Sequence, residues 1–390
     1  MRRIFIFIAS IILSVGSIVV SAEEPLKVIL FMIDGMHYEA PQKLNMPVLN
    51  SLIKEGTYVQ KSYMIIPHHP TVGDYSKFNS CSFPNPMLHE GTIFIRPGNK
   101  MIQEMISPKH QTAFVVNTTA YNSVGRGFST CIMDNTLTDG QVVLQAIEVL
   151  KNQDVRFLRI HLQSPGVIGT KIAMNSEDKP YSRNIFGKDS PYIDAIENAD
   201  KLLGQFIDFL KKSGKWESTV LIVTSDHGQS NVGWHPMLDE DSWSTPLVFA
   251  GNGIAQGRKL SYFEHTDLAP TIAWLLGVSA PNNHDGGAGK PIKEIMAKYD
   301  ADTYEPTTYI KTINQQIRLY NILMARMVLA AEKDNYISNI ISSLENENLT
   351  PEPFYHQDRI TDWYKAGSTQ HLIEANQQIL DKIQYLLDKK

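Results

Sequence analysis

Cysteine is nearly absent from this chain of 390 residues: Cys81 and Cys131 are its two thiols. A single pair is optional in a domain this large, so the fold does not depend on a disulfide framework. The two can pair in an oxidising compartment or remain buried free thiols. Blocks of like charge are missing as well. The formal net charge is −5 with acidic and basic residues interspersed, which leaves no electrostatic footprint for nucleic acid and suits a small anionic substrate better. Internal repeats and low-complexity tracts are absent. No GxGxxG follows the first apolar strand, which discounts a dinucleotide-binding domain. Beyond the N-terminus no apolar run reaches the length of a membrane span, so no transmembrane segment is expected in the mature chain. No signal for oligomeric state is legible.

What is present begins with a targeting element. Arg2 and Arg3 precede an apolar run from Ile4 to Val20, and Ser21-Ala22 supplies small residues for cleavage. The run is short for a span, so residues 1–22 are expected to be a signal peptide, and the mature chain to be exported, periplasmic or secreted, from near Glu23. The remaining composition, 43% hydrophobic and 20% charged, is that of a globular protein able to bury a large core.

Apolar runs and amphipathic segments then alternate. LKVILFMI, from Leu26 to Ile33, reads as a strand buried on both faces and stops at Asp34-Gly35. A short helix from Pro47 to Ile53 has proline at its start and Gly56 past its end. RFLRIHL, from Arg156 to Leu162, is a second strand. An amphipathic helix from Tyr192 to Leu210 follows, then the strand TVLIVTSDHG ending in Asp226 and His227. TPLVFAGNGI gives one more strand and HTDLAPTIAWLLG a helix closed by Gly277. The pattern predicts an α/β fold, with a largely parallel central sheet, helices on both faces, and a site at the carboxyl ends of the strands. After Pro291 no buried strand recurs. Thr308 to Lys333 and Gln370 to Leu387 read as helices, so a main domain over 23–300 and a C-terminal helical extension over 301–390 are expected.

Two of these strands end in metal-ligand types, Asp34 in MIDG and Asp226-His227 in TSDHG, and strand ends in a parallel sheet converge. Carboxylate and imidazole together suit zinc, with manganese or calcium as alternatives. Between them lies IIPHHPTVGDYSKFNS, in which Thr71 follows Pro70 among His68, His69 and Asp74. An alcohol needs a metal or a base to become a nucleophile at neutral pH.

VILFMIDG, Pro70-Thr71, ENADKLLG, VTSDHG, TPLVFAGNGI and DLAPTIAWLLG, in this order across Lys27 to Lys290, resemble the alkaline phosphatase superfamily. The resemblance implies a phosphodiesterase-like or sulfatase-like metallohydrolase in which Thr71 is the nucleophile and Asp34, Thr71, Asp226 and His227 ligate one metal. His235 in GWHPML stands in the stretch that supplies a further ligand in two-metal members; His265 is an outside candidate with a packing or substrate-side role. Where those members carry DxxGH, this chain has Gln163 and Val167. Valine cannot bind a metal and an amide oxygen is a weak substitute for carboxylate. His161, on the same strand face as Gln163, either rebuilds the second site or is a core histidine. The expectation is therefore one divalent ion, with a second left open.

Such a centre would hydrolyse small anionic phosphate esters, mono or di. A sulfatase-like or phosphoethanolamine-transferase-like enzyme with one metal is the alternative, as is an inactive metal- or ligand-binding relative. Sulfatases use a modified cysteine or serine in a CxPxR-like setting, which HPTVGDY lacks. His68, His69, Lys77 and Arg126 are candidates for holding the oxyanion, arginine by its planar fork.

Overall fold

The computed structural model describes residues 25–64, 86–89, 92–95, 100–175, 177–236, 238–281, 289–346 and 369–389. Residues 1–22, expected to be a signal peptide, lie outside these residues, as do His68, His69, Thr71, Asp74, Lys77 and Cys81; Cys131 is exposed.

The first strand, β1 (Lys27–Ile33), occupies the middle of a nine-stranded sheet, with β7 (Val155–Leu162) on one side and β8 (Thr219–Thr224) on the other, both parallel to it. Beyond β7 lie β5 (Gln111–Val116) and β6 (Thr130–Met133), also parallel. On the other flank β9 (Ser244–Gly251) runs antiparallel to β8 and to β2 (Thr57–Tyr63), and two short strands, β10 (Arg258–Leu260) and β11 (Phe263–Glu264), pair in parallel with β2. The sheet is largely parallel, as expected; β9 is its reversed strand. Two reversals make β2 run in the direction of β1, so the chain leaves both at the same edge. A separate hairpin is formed by β3 (Pro86–His89) and β4 (Thr92–Ile95).

β1 is buried along its whole length because helices cover both faces of the sheet. Ile29, Phe31 and Ile33 point into one apolar layer with side chains of α2 (Pro47–Glu55), α4 (Asp139–Asn152) and α6 (Pro191–Lys212). Val28, Leu30 and Met32 point into the other, with α3 (Ile102–Ile106) and α7 (Leu268–Leu276). A strand buried on both faces has no polar positions to alternate, hence the unbroken apolar run. The single turn α1 (Ala40–Lys43) and the helix α5 (Ser164–Met174) follow β1 and β7. Helix ends are specified locally and from a distance. Thr138 and Gln141 cap α4 reciprocally. The start of α2 carries Pro47, which has no N–H to lose, and the next two N–H groups, of Val48 and Leu49, donate to Asp200 of α6 at 3.0 and 2.8 Å.

The C-terminal helices α8 (Tyr309–Ala331), α9 (Asn335–Asn346) and α10 (Thr369–Asp388) build their apolar layer around Tyr63, Met64, Trp243 and Tyr262 at one end of the sheet. No helix among the described residues is long and apolar enough to cross a membrane. The docking point is Glu264. Its buried carboxylate accepts from the Tyr262 hydroxyl and from the Ile310 N–H at the start of α8, each at 2.7 Å. Burial, with Asp267 adding repulsion, pushes the Glu264 carboxyl up to about 8. A carboxyl raised in the fold stabilises fully below its ordinary value near 4.5, and that contribution is lost as pH rises through about 8. Glu264→Gln should equal the parent in urea unfolding near pH 5 and exceed it by on the order of 3 kcal/mol above pH 9.

Candidate metal centre

The edge at which β1, β7 and β8 end brings two loops together. In the first, Gly35 stands at φ 60°, a left-handed conformation that glycine adopts without steric cost. This turn aims its N–H at Asp226 Oδ1, 3.3 Å away, while the Met36 N–H donates to Ser225 Oγ at 3.0 Å. The second loop is fixed by Ser225, whose hydroxyl donates to the His227 carbonyl at 2.7 Å. Behind both, the buried Tyr192 of α6 donates to the Gly35 carbonyl at 2.8 Å and accepts from the His37 N–H at 2.9 Å. Asp34 and Asp226 are thus held side by side by hydrogen bonds that do not depend on anything bound between them.

Asp34, Asp226 and His227 are all buried, and one ligand atom from each lies within 4.8 Å of the others. Among the described residues they are the one group of His, Cys, Asp or Glu side chains so placed. The tautomer of His227 follows from its partner: Nδ1 lies 2.8 Å from the Gly228 carbonyl, which can only accept. Nδ1 therefore carries a proton, which leaves Nε2, 3.5 Å from Asp34 Oδ1 and 3.4 Å from Asp226 Oδ2, as the atom whose lone pair the neutral imidazole would offer to a cation. A lone pair facing two carboxylates is repulsive until a cation sits among them. Desolvation first, and the Asp226 charge second, raise the Asp34 carboxyl above its ordinary range. Oxygen, oxygen and imidazole donors at this spacing fit one divalent ion with ligand distances of about 2.0–2.5 Å.

The backbone of α5 forms the floor. Gly166, in its first turn, passes so close that a Cβ there would overlap Asp34 Oδ1. Gln163 occupies the N-cap of the same helix, its N–H donating to Asn117 Oδ1 at 3.2 Å, and Val167 is 40% exposed. His161 is fully buried on β7, with Nε2 3.4 Å from Asp34 Oδ2. The His235 ring meets that of His227 edge-on, centroids 4.4 Å apart. His265 lies farther into the fold, its Nε2 at 3.1 Å from Ser62 Oγ and 3.0 Å from Thr245 Oγ1. Arg126 is held by Glu104 through two contacts of 3.2 and 3.0 Å. Thr71, His69 and Lys77 fall outside the described residues.

Sequence reasoning did not single out Gly166, Tyr192, Ser225 or Tyr121, whose hydroxyl donates to Asp34 Oδ2 at 3.3 Å. No local pattern marks them, since they act through backbone approach or through hydrogen bonds across 87 to 189 residues of sequence.

A mostly parallel α/β sheet with an acidic and imidazole cluster at its carboxyl edge defines the class. Comparison with known proteins narrows it. Residues 106–278 match the Sulfatase family model. The chain is 34% identical over 103 residues to the multifunctional alkaline phosphatase superfamily protein PehA of Trinickia caryophylli, covering 24% of this chain and 20% of PehA. It is 36% identical over 93 residues to the choline-sulfatase of Rhizobium meliloti, covering 23% and 18%. The matched stretches span about a fifth of the length of these curated relatives. In fold it is similar to the phosphonate monoester hydrolase from Silicibacter pomeroyi, with a TM-score of 0.52 and 15% identity over 72% of this chain and 78% of that one. Human ectonucleotide pyrophosphatase/phosphodiesterase 5 gives a TM-score of 0.53 and 14% identity over 70% of this chain and 100% of that one. The sequence is thus similar to the Sulfatase family over residues 106–278 and to an alkaline phosphatase superfamily protein, and the fold is similar to that of a phosphonate monoester hydrolase and a phosphodiesterase.

Gly166→Ala should displace Asp34 and weaken metal binding at least tenfold, an effect of the size seen when ligand-supporting groups are altered. Calorimetric titration of the metal-stripped chain with zinc and manganese checks it; unchanged affinity would show that Asp34 is not a ligand.

Proposed function

We propose that this chain is an exported metal-dependent hydrolase of phosphate esters, with Thr71 as nucleophile, and that residues 23–300 form its catalytic domain. The observation that carries the reading is the cluster of Asp34, Asp226 and His227, with His227 Nε2 turned towards both carboxylates. A bound divalent cation, zinc by preference for this donor set, would supply positive charge to an attacking hydroxyl and to the ester oxygen. The chain's own residues do the rest. Asp34 and Asp226 fix the position of positive charge, and the Gly228 carbonyl keeps His227 in the tautomer that can ligate. Pro70-Thr71 follows β2 in sequence, and β2 runs parallel to β1 and ends at Tyr63 on the edge where β1 ends, which supports this reading. The Thr71 hydroxyl gives its proton to solvent and its oxygen attacks the phosphorus, the ester P–O bond breaks as the leaving oxygen takes a proton from solvent, and water then cleaves the phosphothreonine P–O bond to return the threonine hydroxyl and free phosphate.

A second reading, sulfate ester hydrolysis, is favoured by the family model over 106–278. Threonine at the nucleophile position, without the CxPxR-like setting, favours phosphoryl transfer instead.

Thr71→Ala should reduce turnover of an aryl phosphate by more than a thousandfold, order of magnitude for loss of a covalent nucleophile, while metal content stays at the parent level. A panel of aryl phosphate monoester, diester, phosphonate and sulfate with zinc, manganese or calcium separates the two readings. Preference for the sulfate, or full activity in the Thr71 variant, would overturn the first.

A further inference from the structure

The two oxygens of Asp34 face different surroundings. Oδ1 points to the side of His227 Nε2, 3.5 Å away. Oδ2 faces the hydroxyl of Tyr121 at 3.3 Å and Nε2 of His161 at 3.4 Å. Tyr121 and His161 are both fully buried, their ring centroids 5.1 Å apart, and they reach Asp34 from separate elements. His161 sits on β7 opposite Met32 of β1. Tyr121 follows β5 and is packed among Met101, Phe114, Val116 and Val124.

A carboxylate only accepts, so the His161 nitrogen that hydrogen-bonds to it carries a proton and has no lone pair left for a metal. The Tyr121 hydroxyl likewise spends its proton on Oδ2. A cation on this side of Asp34 would meet the positive ends of both donors. One further charge stands on the same face of β7: Arg159, fully buried over the Phe114 ring at 4.9 Å, lies two residues before His161, about 7 Å along the strand. The neighbouring Gln163 and Val167 add no negative charge to offset it.

We propose that Tyr121 and His161 are positioning residues that take the place of a second cation beside Asp34, so that the centre holds one ion and Asp34 ligates it through Oδ1 alone. The proposal rests on the reading of Asp34, Asp226 and His227 as a metal centre. It assigns Tyr121 a role that acts through Asp34: neutralising and orienting Oδ2, so that Oδ1 is the oxygen left for the ion. Supporting groups of this kind set metal affinity while making no bond to the ion.

The test uses the full mature chain, metal-stripped and then titrated with zinc and with manganese by calorimetry, with bound metal counted by mass spectrometry after dialysis. One ion per chain is expected. Tyr121→Phe should keep that stoichiometry and the unfolding temperature of the metal-free chain, yet weaken affinity about tenfold. His161→Gln, which retains an N–H where Nε2–H stood, should stay within about threefold of the parent, an order-of-magnitude expectation for a preserved hydrogen bond. Two ions of comparable affinity, or parental affinity in Tyr121→Phe, would overturn the proposal while leaving the metal centre standing. No bound ion in the parent would overturn the metal reading and this proposal with it.

Discussion

Two buried carboxylates at the ends of neighbouring strands are the constraint around which the rest of this protein is arranged. Asp34 follows β1 and Asp226 follows β8, and burial first and the Asp226 charge second raise the cost of ionising Asp34. Left in water they would separate. Here the Gly35 N–H on Asp226, the Met36 N–H on Ser225 and the Tyr192 hydroxyl on Gly35 hold the loops together. A pair of like charges fixed in this way stores electrostatic free energy that a bound cation releases, which is why the same arrangement that burdens the fold favours a metal.

The sheet makes this arrangement cheap to build. Parallel strands deliver their following loops to one edge, so β1, β7 and β8 contribute side chains to one place without long excursions. The reversed strand β9 sits beside β8 and leaves β2 running with β1, so β1 and β2 end at the same edge. Close approach completes the design: α5 can lie against Asp34 only because residue 166 has no side chain. The C-terminal helices are tied to this end of the sheet as well, through Tyr63, Trp243 and Tyr262 and through the Glu264 carboxylate at the start of α8.

Much of the fold was legible in the sequence because its signals are local. The runs LKVILFMI, RFLRIHL and TVLIVT are strands β1, β7 and β8 within a residue or two, and the amphipathic segment from Tyr192 is α6, running from Pro191 to Lys212. A strand such as β2 is harder to read, since the polar Gln60 and Lys61 interrupt its buried residues where the register with β9 shifts. The reversed direction of β9 is likewise hidden: a buried antiparallel strand has the same apolar composition as a parallel one. Asp34, Asp226 and His227 could be proposed as a set because two separate apolar strands lead into metal-ligand residue types and strand ends in a parallel sheet converge.

What the sequence determined by itself is the alternation of strands and helices and the identity of the residues at the strand ends, because hydrophobic periodicity and chain punctuation are properties of neighbours along the chain. What only the tertiary structure decided is how those residues face one another. The protonation of His227 is set by the Gly228 carbonyl, the need for glycine at position 166 by the approach of α5, and the two faces of Asp34 by His227 on one side and Tyr121 with His161 on the other. Each of these depends on a distance between atoms far apart in the chain or on the direction of a lone pair, and neither is written in residue order.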